Sequence, residues 1–398
     1  MDITITPGKL SGTIQAIPSK SQAHRLLICA ALSNNQTTLV CPETNRDIEA
    51  TTDCLNALGA NIRRTETGYE IDPIGEIPQA ATLNCCESGS TLRFMLPIAG
   101  ALGASTIFKM EGRLPQRPLS PLWEEMERMG CKLKFINDHE LLCEGQLHPG
   151  DYYIDGNVSS QFITGLLFAL SLLDGDSQIH ITGNLESKPY VNMTRKAMEL
   201  FGVNTDNFSI RGGQTYHSPG TVTVEGDWSN GAFFLAAKAL GSSLTVTNLD
   251  PNSPQGDRAV AHWLEELTNH CTISAADIPD LVPILSVVAA AREGAVFTDI
   301  QRLRLKESDR VASIIAMIDA LGGKAEATED TLVIYGTGLT GGTVDSVNDH
   351  RIAMSAAIAS TICTQPVTIL GAECVKKSYP TFWEEFTRLG GKYELNLR

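Results

Sequence analysis

Apolar and polar positions along the chain follow two periods. Several segments carry a helical stripe that ends in an apolar pair and a glycine, followed at once by strand-like alternation: LNALGANI, MERMGCKL, MELFGVNT, MIDALGGKA and FTRLGGKYE. The closing glycines are Gly59, Gly130, Gly202, Gly322 and Gly390, and each suits the left-handed residue that ends a helix. They recur about 70 residues apart with one longer interval, inside which WLEELTNHCTI fills the same slot with Asn269 in place of glycine. The pattern predicts six diverged copies of one α/β unit.

Segments such as GTVTVEG and DTLVIYG alternate with period two and predict strands after these helices. A second kind of helix is apolar nearly all round and is expected to be buried: SSQFITGLLFALSLL, SNGAFFLAAKALG and DLVPILSVVAAAREG. The expected fold class is α/β, with two domains of three units each. The break is placed near VEGDWSN, where a strand ends in Gly-Asp before a new buried helix. That gives one domain over 19–226 and a discontinuous one over 1–18 and 227–398, with the strand around Ile3 to Ile5 expected to return to the second.

Composition narrows the class. A chain of 398 residues is too long for one hydrophobic core. Its formal net charge of −15 argues against a protein that coats nucleic acid, and no basic stripe with interleaved aromatics relieves that. No apolar run is long enough to span a bilayer, and MDITITPGKL lacks the basic-then-apolar pattern of a secretory signal. Ten cysteines occur without a Cys-x-x-Cys pair, which reads as free thiols in a reducing cytoplasm. A cytoplasmic monomer without nucleic-acid or membrane partners is expected. In so acidic a chain, a local cluster of cations is informative.

Such clusters sit at helix starts. In IPSKSQAHRLL, Pro18-Ser19 reads as turn and N-cap and Ser21 falls in the first turn. Lys20 and Arg25 add cations beside backbone N–H groups that already favour anions. In CCESGSTLRFMLP, Ser88 to Thr91 open another helix, Gly89 lets a ligand approach the backbone, and Arg93 follows. EGRLPQRPLSPL sets Arg113 and Arg117 in a proline-stiffened loop. GNVSSQFITG places Ser159, Ser160 and Gln161 at a helix start, hydroxyls and amide outward, and LESKPYVNMT offers Ser187, Lys188 and Tyr190. IPDLVP puts Asp280 at the head of a buried helix. LRLKESDRVAS gathers Lys306, Glu307, Asp309 and Arg310, with Lys306 and Arg310 expected on one helix face at i, i+4. VNDHRIAMSAA and CVKKSYPTFW add Asp349, His350, Arg351, Lys376 and Lys377.

Each segment alone is also what an ordinary capped helix looks like. Their convergence carries the reading: helices aiming these ends at one cleft between the domains would make a positive pocket for small anions carrying phosphates or carboxylates.

The segments PSKSQAHR, SGSTLR, RPLSPL, GNVSSQF, SKPY, IPD, KESDR, NDHR and KKSYP occur in this order across the chain. Together they resemble the EPSP synthase (3-phosphoshikimate 1-carboxyvinyltransferase) family of enolpyruvyl transferases. The resemblance implies the two-domain enolpyruvyl transferase fold, each domain three repeated βαβαββ-like units. It also implies joining of phosphoenolpyruvate to the 5-hydroxyl of shikimate 3-phosphate with release of phosphate, without metal or other cofactor. By motif, shikimate 3-phosphate is expected to meet Lys20, Ser21, Arg25, Ser159, Ser160, Gln161, Ser187, Asp280 and Lys306. Phosphoenolpyruvate is expected to meet Lys20, Gly89, Arg117, Gln161, Arg310, Arg351 and Lys377.

The chemistry accounts for those residue types. The attacking alcohol must lose a proton and the methylene carbon must gain one, which forms a tetrahedral ketal. That carbon then gives a proton back as phosphate departs. Positioned carboxylates handle such steps. Asp280, Glu307 and Lys20 are the expected proton-handling groups, with Asp280 toward the hydroxyl and Glu307 toward the methylene. The division among the three stays open.

Two departures stand out. Glu87 stands where many relatives carry asparagine, putting a carboxylate beside an anion site. Arg302 replaces an asparagine of some relatives. Gly89 stands where a bulkier residue would crowd the glyphosate pocket, which implies competition between glyphosate and phosphoenolpyruvate. Transfer to UDP-N-acetylglucosamine is the nearest rival, but its reactive loop cysteine has no counterpart in EGRLPQRP. A non-catalytic anion-binding homologue is the other rival, and the retained Asp280, Glu307 and Lys20 argue against it.

Overall fold

The computed structural model describes residues 1–396. Its helices come in pairs, a buried one followed by an amphipathic one. They are α1 (Lys20–Ala31) and α2 (Arg46–Ala57), α3 (Gly89–Leu102) and α4 (Leu122–Arg128), and α5 (Ser160–Leu170) and α6 (Lys188–Leu200). The series continues with α7 (Trp228–Ala239) and α8 (Val260–Glu266), α9 (Val282–Ala291) and α10 (Arg310–Ala320), and α11 (His350–Ala359) and α12 (Phe382–Arg388). Serines 19, 88 and 159 cap α1, α3 and α5 with neutral oxygens, while Asp227, Asp309 and Asp349 cap α7, α10 and α11 with charged ones.

Five repeats wrap their helices with a four-stranded sheet of fixed pairing, and among the described residues the α7–α8 repeat has only a two-stranded parallel one. Ala80–Asn84 runs parallel to Ser105–Lys109, which pairs antiparallel with Glu140–Gly145, which pairs antiparallel with Cys131–Asn137. Asp151–Asp155, Ser177–Thr182, Ser209–Ile210 and Thr205–Asp206 repeat that order, as do Cys271–Ser274, Ala295–Thr298, Thr331–Tyr335 and Lys324–Ala327. The last sheet is completed by the N-terminus: Asp2–Thr6 lies antiparallel between Val367–Leu370 and Lys392–Asn396.

Two strands are exchanged. Ser11–Gln15 leads straight into α1, yet pairs in parallel with Ser243–Thr247, the strand after α7. Thr221–Thr223 leads into α7, yet pairs in parallel with Thr37–Val40, the strand after α1. The chain accordingly divides into two compact units. One is Met1–Ile17 with Glu225 onward, and the other is the uninterrupted segment Pro18–Val224. Each has its own apolar core.

The five closing glycines all take positive φ: Gly59 103°, Gly130 113°, Gly202 77°, Gly322 84° and Gly390 98°. The sixth stop differs from expectation. Neither Thr268 nor Asn269 is left-handed. Instead their N–H groups donate to Glu265 O and Glu266 O in a continued right-handed turn. The reason is topological. After Gly59, Gly130, Gly202 and Gly322 the chain enters a hairpin, and after Gly390 it enters Lys392–Asn396, which joins its own repeat's sheet beside Asp2–Thr6, whereas α8 runs directly to Cys271–Ser274, the first strand of the next repeat.

All ten cysteines are free thiols. Among the described residues no helix is long and apolar enough to cross a membrane.

Within the second unit α3 and α5 touch backbone to backbone. A Cβ on Gly165 would lie 2.3 Å from the carbonyl oxygen of Arg93, so the two helices must part to admit one. Gly165→Ala is expected to destabilise the protein by at least about 2 kcal/mol in urea unfolding. Gly8→Ala, with nothing within 4 Å of its Cβ, should stay within about 0.5 kcal/mol of the parent.

Candidate active site

In the first unit, three helix starts bring charges together. Arg310, the first residue of α10, is 1% exposed and ties three carboxylates. Its Nε donates to Asp349 Oδ2 at 2.9 Å, one Nη to Asp280 Oδ1 at 2.6 Å, and the other to Glu307 Oε2 at 2.7 Å. Asp349 also caps α11, its second oxygen accepting from Arg351 N–H. Arg351 donates to Asp280 Oδ2 at 3.2 Å and to Ser229 Oγ at 3.0 Å, and Ser229 in turn donates to Asp227, the cap of α7. Lys306 Nζ lies 3.8 Å from Asp280 Oδ1. Before the α11 cap, Val347 and Asn348 are both left-handed, with φ of 47° and 59°. That conformation is costly for a β-branched side chain. The turn presents the Asn348 carbonyl to Lys377 Nζ at 2.9 Å.

These contacts set the charge states. Burial pushes the Asp280 carboxyl up, but the charges of Arg351, Lys306 and Arg310 outweigh it and hold it well below the usual carboxylate range. Asp349 is likewise lowered, burial being outweighed chiefly by Arg310. Burial lowers Lys306 to about 8, Arg302 and Arg310 add to the lowering, and Asp280 opposes it. The result is a carboxylate that stays ionised beside an ammonium whose pKa is brought down to about 8.

In the second unit the starts of α1, α3 and α5 converge on a milder arrangement. Lys20 Nζ pairs with Asp47 Oδ2 at 2.8 Å, Asp47 lying in the first turn of α2. Arg93 donates to Gln161 Oε1 at 2.7 Å, and Gln161 Nε2 donates to Ser90 Oγ at 3.0 Å. Arg117 rests on Gly89: a Cβ there would lie 2.6 Å from its nearer Nη. Arg25 is buried, donating to Thr194 Oγ1 at 2.8 Å and to the carbonyls of Ser21 and Tyr190. Burial brings its guanidinium down to about 10.

Comparison with known proteins is decisive for kinship. The sequence profile described as EPSP synthase (3-phosphoshikimate 1-carboxyvinyltransferase) matches residues 5–278 and 271–386. A 3-phosphoshikimate 1-carboxyvinyltransferase of Clostridium kluyveri is 41% identical, covering 98% of both chains. The protein of that description from Clostridium beijerinckii is 39% identical over 99% of this chain and 98% of its own. The chain belongs to the EPSP synthase family. A solved EPSP synthase from Acinetobacter baumannii shares the fold, with a TM-score of 0.81 at 22% identity over 99% of this chain and all of that one.

The residues that the EPSP synthase motifs picked out fall in two groups. Lys20, Ser21, Arg25, Gly89, Arg117, Ser159, Ser160, Gln161 and Ser187 lie in the second unit, and Asp280, Lys306, Glu307, Arg310, Arg351 and Lys377 in the first. Some details differ from expectation. Lys306 and Arg310 do not share a helix face, because Asp309 caps α10 and Lys306 follows a 3₁₀ turn over Gln301–Leu305. They meet through Asp280 instead. Ser159 and Ser160 are buried, and the Ser159 hydroxyl accepts from Gln161 N–H as a cap. Ser187 takes φ 55° ahead of Lys188-Pro189 and makes no capping bond from its side chain. Arg25 sits in the second turn of α1, too far in for the first-turn position expected of it.

Sequence reasoning left Asp47, Ser229 and Asp349 out of the site. Asn45-Arg46-Asp47 did carry a signal, an N-cap asparagine with an acid in the first turn. Asp349 was visible only as a cap, and nothing local tells that its second oxygen holds Arg310.

The sign of the coupling at Lys306 is testable by ¹⁵N NMR titration of lysine Nζ. One lysine is expected to titrate near pH 8 in the folded protein. Asp280→Asn removes the charge that raises it and should move that midpoint down, whereas Arg302→Gln removes a charge that lowers it and should move it up.

Proposed function

We propose that the chain transfers the enolpyruvyl group of phosphoenolpyruvate to the 5-hydroxyl of shikimate 3-phosphate, giving 5-enolpyruvylshikimate 3-phosphate and phosphate. The observation that carries the reading is the carboxylate–cation cluster on Asp280, in a chain that matches the family from end to end.

In this reading the second unit mainly receives shikimate 3-phosphate. Ser21, Arg25, Ser159, Ser160 and Ser187 hold it, with Lys20 and Gln161 beside both substrates. Asp280 and Lys306 address its hydroxyls. Gly89, Arg117, Arg310, Arg351 and Lys377 serve phosphoenolpyruvate. Three of the five N–H donors of Arg310 are spent on carboxylates, so it would reach the substrate through the remaining two.

Asp280 is an acceptor at neutral pH, as a base toward a hydroxyl must be. Its depressed pKa makes it a weak base while it faces three cations. Anionic substrates binding to Arg351 and Lys306 would offset that positive field and raise its basicity when the hydroxyl is in place. Glu307 is the most exposed carboxylate on Arg310, with a quarter of its side chain accessible, and it suits proton exchange with the methylene carbon. Lys20, held by Asp47, is the third candidate. Arginine and lysine charge offsets the departing phosphate. A cytoplasmic monomer acting on two small anions completes the reading.

Phosphate release from phosphoenolpyruvate should require shikimate 3-phosphate and not occur with UDP-N-acetylglucosamine; the reverse acceptor preference refutes the assignment. Asp280→Asn is expected to lower kcat by about 10²–10⁴-fold with smaller changes in KM, and turnover at the parent rate removes Asp280 from the mechanism. Gly89→Ala pushes on Arg117 and should raise KM for phosphoenolpyruvate by about tenfold, leaving KM for shikimate 3-phosphate within about twofold. Glyphosate should compete with phosphoenolpyruvate; an uncompetitive pattern or no inhibition at millimolar concentration counts against the Gly89 site.

A further inference from the structure

Glu87 puts a negative charge two residues before Gly89, in the stretch assigned to an anion. The structure gives that charge a specific seat. A Cβ built on Gly112 would lie 2.7 Å from Glu87 Oε2, 2.8 Å from Cδ and 3.0 Å from Cγ. The end of the Glu87 side chain therefore fills the space that a side chain at position 112 would occupy. Gly112 also has φ 56°, so both its backbone and its missing Cβ are used.

Gly112 lies in the loop that carries Arg117, and this loop is joined to the start of α3 at several further points. Glu111 N–H donates to Cys86 O at 2.7 Å, Arg117 rests on Gly89, and Arg93 of α3 donates to Pro118 O at 2.8 Å. Inside the loop, Leu114 N–H donates to Glu111 O and Arg117 N–H to Leu114 O, so a shift at Gly112 is passed on to Arg117 through two tight turns. The Arg117 Nε is buried without a hydrogen bond among the described residues, which leaves the path of the loop a large share in placing the guanidinium.

We propose that Glu87 is a positioning residue, packed over Gly112 as a strut that holds the Arg117 loop against the start of α3 and so sets the affinity for the anion bound by Arg117. The inference rests on the assignment of phosphoenolpyruvate to Gly89 and Arg117. It opposes the simple electrostatic expectation that a carboxylate there weakens anion binding. The two differ in sign.

Steady-state kinetics on Glu87→Ala and Glu87→Gln decide between them. The strut predicts that Glu87→Ala raises KM for phosphoenolpyruvate by about tenfold, with kcat and KM for shikimate 3-phosphate within about twofold. Glu87→Gln, which keeps the shape, should stay within about twofold of the parent. A fall in KM for phosphoenolpyruvate in either variant, or an equal rise in both, overturns it. In an Arg117→Lys background Glu87→Ala should add little, because both act through one guanidinium; fully additive losses overturn it as well. If Arg117→Lys alone leaves KM for phosphoenolpyruvate unchanged, the substrate assignment fails instead. Hydrogen exchange at the Leu114 and Arg117 amides, read without substrate, tests the strut independently of turnover. Glu87→Ala should speed it and Glu87→Gln should not, and equal protection in all three proteins refutes the strut.

Discussion

A single buried guanidinium organises the first unit's chemistry. Arg310 is almost fully removed from water, and its charge is acceptable there only because Asp280, Glu307 and Asp349 surround it. Losing any one of these partners would leave part of that charge uncompensated, typically at about 3–5 kcal/mol. The same constraint brings the starts of α9, α10 and α11 together, since each contributes a charge to the knot. The cluster of cations around the Asp280 carboxylate follows from packing that the fold needs anyway. The second unit achieves its convergence differently. Its buried helices α1, α3 and α5 carry uncharged serine caps and no acid in their own first turns.

The contrast between Asp and Ser caps bears on how work is divided. Aspartate caps spend helix-end polarity inside the protein and leave side-chain cations to do the binding. Serine caps leave the polarity available to a ligand. An acidic chain can hold multiply charged anions this way without a generally basic surface, because attraction is confined to helix ends and a few arginines.

Much of this was legible because each helix carries its own instructions. The apolar faces of α5, α7 and α9, the closing glycines and the capping residues are all local, and they predicted six repeats with buried helices. What is set by distant segments was not. Nothing in Ser11–Gln15 says that it pairs with Ser243–Thr247 in place of the strand after α1. Asp349 reads as a cap because one oxygen is one, and its grip on Arg310 depends on the start of another helix 39 residues earlier in the chain. Lys306 and Arg310 looked like helical neighbours, but Asp309 competes for the first turn and starts the helix after Lys306. The Asn269 stop misled in the same way, since α8 leads into the next repeat's sheet and not back into its own.

The strand exchange has a consequence for how the protein is made. The segment Pro18–Val224 is continuous and contains its own closing strand, Thr221–Thr223, so everything its core requires has been made before Glu225 is added. The other unit cannot close so early. Ser11–Gln15 waits for Ser243–Thr247, and Asp2–Thr6 waits for Val367–Leu370 and Lys392–Asn396. Once Val224 has been made, the nascent chain therefore still carries unpaired N-terminal strands, the state in which a chaperone would have the most to protect.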